Sequence, residues 1–137
     1  MNTKVILAGL ATGVFYFFAG WAIFGIALAD FYSSGTTVYE GLMKTEPNLL
    51  LLAVSNIAWA FLVVLVADKT GSGTLKGGAI TGLWVGFLLM LCFDSSYGAF
   101  YNLMSNQLLL VDLFVGTLFT AAGGAVGGFI LGSGNKA

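Results

Sequence analysis

The sequence contains no histidine and no arginine, one cysteine and one proline. Without histidine there is no imidazole acid or base, no His-ligated haem and none of the usual zinc sites. Without arginine there is no planar guanidinium clamp for phosphate. Cys92 has no second cysteine for an internal disulfide, and we expect it to be a small apolar packing residue. Charge is scarce too: 8% of residues are charged, the net charge is −1, and the five cations are scattered lysines. No basic patch exists for nucleic acid. These absences argue against an enzyme and against a cofactor carrier. No cofactor or metal is expected, although bound lipid is compatible with the composition.

What the chain does have is hydrocarbon. Of its 137 residues 58% are hydrophobic, whereas a soluble domain carries about 25% charged residues. So few solvating groups cannot cover a water-facing surface, which makes lipid the expected solvent. The length accommodates four helices of about 20–25 residues with short connections. Apolar runs place them at about residues 5–29, 47–67, 75–97 and 107–131. The expected fold is thus an all-α membrane protein, an up-down four-helix bundle forming one transmembrane domain over residues 1–137.

The connections have readable chemistry. Ala27-Leu28-Ala29 looks like a signal-peptidase site, but the apolar run before it far exceeds a signal core of about 7–15 residues, so retention as a span is expected. Residues 31–46 form the main polar loop, with Tyr32 and Tyr39 suited to the headgroup layer. Pro47 is expected in the first turn of helix two, and Asn106 as the N-cap of helix four. The stretch "DKTGSGTLK" (residues 68–76) is a glycine-rich turn, "AFYNLMSNQ" (residues 99–107) a tight one, and the tail "GSGNKA" is expected to fray. Lys4, Lys69, Lys76 and Lys136 fall on one side of the bundle and Lys44 on the other. The positive-inside rule then gives N-in and C-in. A faint parallel duplication is also visible: "ATGVF" (residues 11–15) echoes "ITGLW" (residues 80–84), and "NLLLLAVS" (residues 48–55) echoes "NQLLLVDL" (residues 106–113).

Small residues recur every fourth position. Gly78, Gly82 and Gly86 form one row, and Gly116, Thr120, Gly124, Gly128 and Gly132 form another, with Gly9 and Gly13 in helix one. In lipid such rows let backbones approach and gain van der Waals contact. The partner surface can lie within the chain or in a neighbouring subunit. A tight hairpin between helices three and four sets Gly78 opposite Gly128, Gly82 opposite Gly124 and Gly86 opposite Thr120. The same register sets Asp94 opposite Asp112. Two adjacent carboxylates in a poorly hydrated site cannot both ionise cheaply and would titrate as a unit. Asn56 and Trp21 lie at similar depth. Asp94, Asp112 and Asn56 are therefore the candidate polar or ion site, since intramembrane acids are functional candidates by default. The competing reading is interfacial: each helix has enough apolar length beyond its aspartate nearly to span a core of about 30 Å. Asp112, near a helix N-terminus, is favoured by the macrodipole, whereas Asp94, near a C-terminus, is not. The aromatic residues Tyr16, Trp21, Trp59, Trp84 and Tyr97 suit either ordinary packing or a groove for lipid, quinone or pigment.

The segments "GVFYFFAGWAIFG", "AITGLWVGFLLMLCFDSSYGAFYNL" and "LLLVDLFVGTLFTAAGGAVGGFILG" resemble small uncharacterised bacterial four-helix integral membrane proteins, catalogued as domains of unknown function. Leu109-Leu110-Val111-Asp112 is the best matching feature. The tryptophan-tyrosine-proline cluster that such proteins often carry after helix one is missing here. The resemblance implies a multi-pass protein of the bacterial cytoplasmic membrane and supplies no activity. The expected role is a non-enzymatic structural or accessory subunit that packs through its glycine faces into a homo- or hetero-oligomer. The alternative is a small ion or proton channel or transporter built on Asp94 and Asp112.

Overall fold

A computed structural model describes residues 2–133. Met1, Lys136 and most of the tail expected to fray lie outside the described residues. Among the described residues five α-helices and one π-helical segment follow in order: α1 (Thr3–Gly20), the π segment (Trp21–Ala27), α2 (Ala29–Gly35), α3 (Leu49–Lys69), α4 (Leu75–Phe100) and α5 (Asn106–Gly132). Four stretches are long and apolar enough to cross a membrane: Thr3–Ala27, Leu49–Lys69, Leu75–Phe100 and Asn106–Gly132. The all-α, four-span expectation holds.

The helix boundaries follow local chemistry. Asn2, Asn48, Thr74 and Ser105 cap α1, α3, α4 and α5 by accepting a backbone N–H in the first turn. Two expectations shift as a result. Pro47 precedes the α3 cap and is not in its first turn, and Asn106 is the first residue of α5 while Ser105 caps it. The turn after α3 reverses at Gly71, whose φ of +67° is open to glycine at little cost.

The largest departure is at the end of helix one. It becomes π-helical at Trp21, with Leu28 N–H reaching back to the Ile23 carbonyl at 2.8 Å, and breaks at Leu28. Residues 29–35 of the expected span and polar loop then form α2. Beyond it, the chain is stitched to the α4–α5 turn. Thr37 N–H donates to the Leu103 carbonyl at 2.7 Å, and Ser105 N–H to the Gly35 carbonyl at 2.9 Å.

The four spans form a rhomb. Helix α5 packs on α4, α1 and α3, while α1 and α4 lie at opposite corners. The tightest seam is α4 on α5, in the register read from the glycine rows. A Cβ built on Gly78 would lie 2.8 Å from Gly128 Cα, one on Gly124 3.0 Å from Gly82 Cα, and one on Gly86 2.6 Å from Thr120 Cβ. Gly116 closes against the Met90 side chain in the same seam. Glycine is needed there because the opposing atoms are largely backbone, which cannot swing aside. Gly9 and Gly13 do the same for α1, under Phe61 and Ile57 of α3. The glycine faces are therefore occupied within the chain.

In the first repeat the aligned pairs Thr12 and Thr81, and Gly13 and Gly82, are all buried. Toward the N-terminal end the interior is filled by Val5, Ala8, Val64, Ala67 and Leu131. Large apolar side chains such as Leu50, Phe18, Leu88 and Phe114 face outward, as lipid-facing residues do. Cys92 joins them; it is exposed rather than packed inside.

Candidate functional site

The register that closes the glycine seam also fixes the aspartates. Asp94 on α4 and Asp112 on α5 line one cavity, with their carboxyls close enough to act on each other electrostatically. Each lies six residues from the turn end of its helix, counting from Phe100 and from Asn106. At about 1.5 Å per residue that is roughly 9 Å along the axis. Helix α4 has 26 residues, about 39 Å, against a hydrocarbon core of about 30 Å. A centred helix thus sets the pair roughly one turn inside the apolar boundary. Both side chains are half-buried.

A third member comes from α2. The Tyr32 hydroxyl donates to Asp112 Oδ1. Burial first, then this hydrogen bond and the charges of Asp112 and Asp94, hold the Tyr32 hydroxyl far above its ordinary value. It therefore remains a donor across the physiological range. Asp94 Oδ2 is buried and has no hydrogen-bond donor among the described residues. The cluster is thus asymmetric: Asp112 has a fixed donor and Asp94 has the other carboxyl. Tyr32, expected in the headgroup layer, instead points inward. The break at Leu28 and the short α2 make this approach possible, and no local motif announces it.

Two cavities meet at Asp112. The larger, about 870 Å³, is lined by Tyr32, Asp94 and Asp112 and opens between α2, the 36–48 loop and the α4–α5 turn. The smaller, about 290 Å³, lies farther from the α4–α5 turn along the bundle and is lined by Asp112, Asn56, Trp59 and Thr120. Phe24 borders both cavities. Its ring meets Tyr32 edge-on at 5.5 Å and Phe119 at 5.7 Å. Asn56 is thus near Asp112 but across the inner cavity, and its amide donates to the Leu52 carbonyl of its own helix at 2.8 Å. The expected trio is really a pair, with Asn56 set apart.

Below the inner cavity a second polar node closes the interior. Trp59 Nε1 donates to Thr120 Oγ1 at 3.2 Å, Tyr16 Oη donates to the Thr120 carbonyl at 2.9 Å, and Thr120 Oγ1 donates to the Gly116 carbonyl at 2.7 Å. Tyr16 and Thr120 are fully buried. The five aromatic residues considered as a groove do not form one. Tyr16 is in this node, Trp59 lines the inner cavity, Tyr97 lines the outer one, and Trp21 and Trp84 are exposed.

Among the described residues no group of three or more His, Cys, Asp or Glu is placed to hold a metal ion. The fold and site together define a class: a multi-pass, all-α membrane protein, by the length and composition of its four spans, with a two-carboxylate cluster near one end. No family model matches the chain, and no curated protein or solved structure matches it.

Proposed function

We propose that this protein binds a proton or a cation at the Asp94–Asp112 pair and acts as a small channel or transporter, without enzymatic activity. The observation that supports this reading best is the juxtaposition of two carboxyls on separate helices, roughly a turn inside the apolar boundary, beneath an open cavity. A pair held that way loads charge more readily than it serves packing, because apolar residues would pack there at less cost. The accessory-subunit role now has less behind it, since its glycine faces are occupied by the chain itself. Assembly into a homo-oligomer or larger complex would use the outer apolar faces.

The lysines support an orientation. Lys4, Lys69 and Lys76 lie at the end opposite the cluster, and Lys44 at the cluster's end. The positive-inside rule then sets the cavity on the outer side of the membrane, with N-in and C-in. The resemblance to small bacterial four-helix proteins suggests the bacterial cytoplasmic membrane as the location.

The test is flux in proteoliposomes. Purified protein is reconstituted with a pH-sensitive dye inside, and a potassium diffusion potential is imposed. Proton or cation movement above protein-free vesicles is expected, with Asp94→Asn and Asp112→Asn each abolishing it. Equal flux in the wild type and in both variants would refute the proposal.

A further inference from the structure

The outer cavity discriminates among ligand chemistries. Its volume of about 870 Å³ falls in the range of about 300–1,000 Å³ typical of drug-sized sites. Most of its wall is apolar or aromatic, with Phe24, Phe93 and Tyr97 from the helices and Val38, Leu42 and Met43 from the 36–48 loop. Its charged groups are Asp94 and Asp112, and no lysine lines it. The Tyr32 hydroxyl, the donor nearest to the carboxyls, is already committed to Asp112. A ligand reaching the floor therefore meets carboxylate acceptors beside aromatic rings, a setting that favours positive charge.

Size and lining favour an occupant larger than an ion for the cavity as a whole. A bare metal ion would meet two carboxyls and leave the apolar wall unfilled. An anion would face two carboxyls with no lysine to offset them. A neutral apolar molecule would leave Asp94 Oδ2, buried without a donor, still unsatisfied. The loop side chains point the same way: Val38 is 72% and Met43 68% exposed although both line the cavity. An apolar body seated there would cover them.

We propose, resting on the acid-pair reading above, that this cavity binds an organic monocation. Its ammonium or other onium centre sits at Asp94 and Asp112, and its apolar body lies against Phe93, Tyr97, Leu42 and Met43.

The test uses tetraphenylphosphonium, a permanent cation with an apolar body, and the full chain in maltoside micelles. Equilibrium dialysis is expected to show saturable binding of one probe per chain. Asp94→Asn/Asp112→Asn is expected to weaken it about tenfold or more. Tyr97→Ala, at a half-exposed wall position, is expected to weaken it while leaving the fold intact by circular dichroism. Tetramethylammonium and the neutral triphenylphosphine oxide are expected to bind at least tenfold more weakly than the probe. Equal binding of the probe to the Asn variant would overturn the proposal, as would tetramethylammonium binding as tightly. Displacement of the probe by added phosphatidylethanolamine would assign the cavity to a lipid headgroup and overturn it too. If the aspartates titrate as a coupled pair but the probe does not bind, the ligand assignment fails alone. If they titrate independently, the reading beneath it fails as well.

Discussion

Replacing Gly82 by alanine tests whether the α4–α5 seam holds the site together. A Cβ at Gly82 would lie 2.9 Å from Ala121 Cα and 3.0 Å from the Thr120 carbonyl carbon, with the Thr120 oxygen nearer still. Relaxed carbon contacts need about 3.5–4.0 Å, so the two backbones must part by roughly half an ångström to one ångström. Neither contact is the end of a side chain that can turn away. Overpacking of this kind costs about 1–3 kcal/mol, or roughly 5- to 150-fold in the unfolding equilibrium. In lipid the loss spreads along the row, because contact rather than the hydrophobic effect joins the helices. Gly20→Ala is the control: its Cβ would sit 3.5 Å from the Phe119 ring, an ordinary contact. Unfolding by increasing SDS mole fraction in mixed micelles gives both midpoints. Gly82→Ala is expected to unfold at a clearly lower SDS fraction, and Gly20→Ala at the wild-type value or above. Coincident midpoints for the two variants would refute the packing argument, and with it the register that brings Asp94 to Asp112.

Two further expectations follow from the site and the topology. The raised Tyr32 hydroxyl stabilises the fold fully below its ordinary value of 10.0 and progressively less as pH rises above it, because the unfolded tyrosine ionises first. Thermal unfolding between pH 8 and 11 should therefore show an alkaline decline that Tyr32→Phe makes shallower; an unchanged decline would mean that Tyr32 is not held in this buried site beside Asp112. For topology, single cysteines at Thr45 and Ser72 in a Cys92→Ser background should react with an impermeant maleimide from opposite sides of the membrane, Thr45 from outside. Labelling of both from one side would contradict a four-span arrangement.

The parts of this molecule visible in its sequence are those set by spacing along one helix or across one tight turn. The four spans follow from hydropathy, because lipid demands unbroken apolar length. The α4–α5 register follows from the glycine rows, because only opposed small residues allow that approach, and the Asp94–Asp112 pairing is its consequence. Other features depended on distant contacts. Tyr32 meets Asp112 across 80 positions, and the break at Leu28 that turns it inward has no proline to mark it, while Gly25 in the π segment before it reads as one more small residue of an apolar run. The cap of α5 is Ser105 and not its neighbour Asn106, and α3 starts at Leu49 after the cap Asn48, so that Pro47 falls just outside its first turn. Propensity does not choose between adjacent residues that both suit a helix start. In the sequence only depth groups Asn56 with the acids, and depth says nothing of which side of the inner cavity a side chain occupies.

The most direct measurement is a carboxyl titration by infrared difference spectroscopy on the lipid-reconstituted protein, comparing wild type with Asp94→Asn and Asp112→Asn. A pair that shares a proton must titrate in two separated steps belonging to both groups, and either substitution must collapse them to one step with a changed midpoint. Two independent steps, each untouched by removal of the other aspartate, would contradict the account.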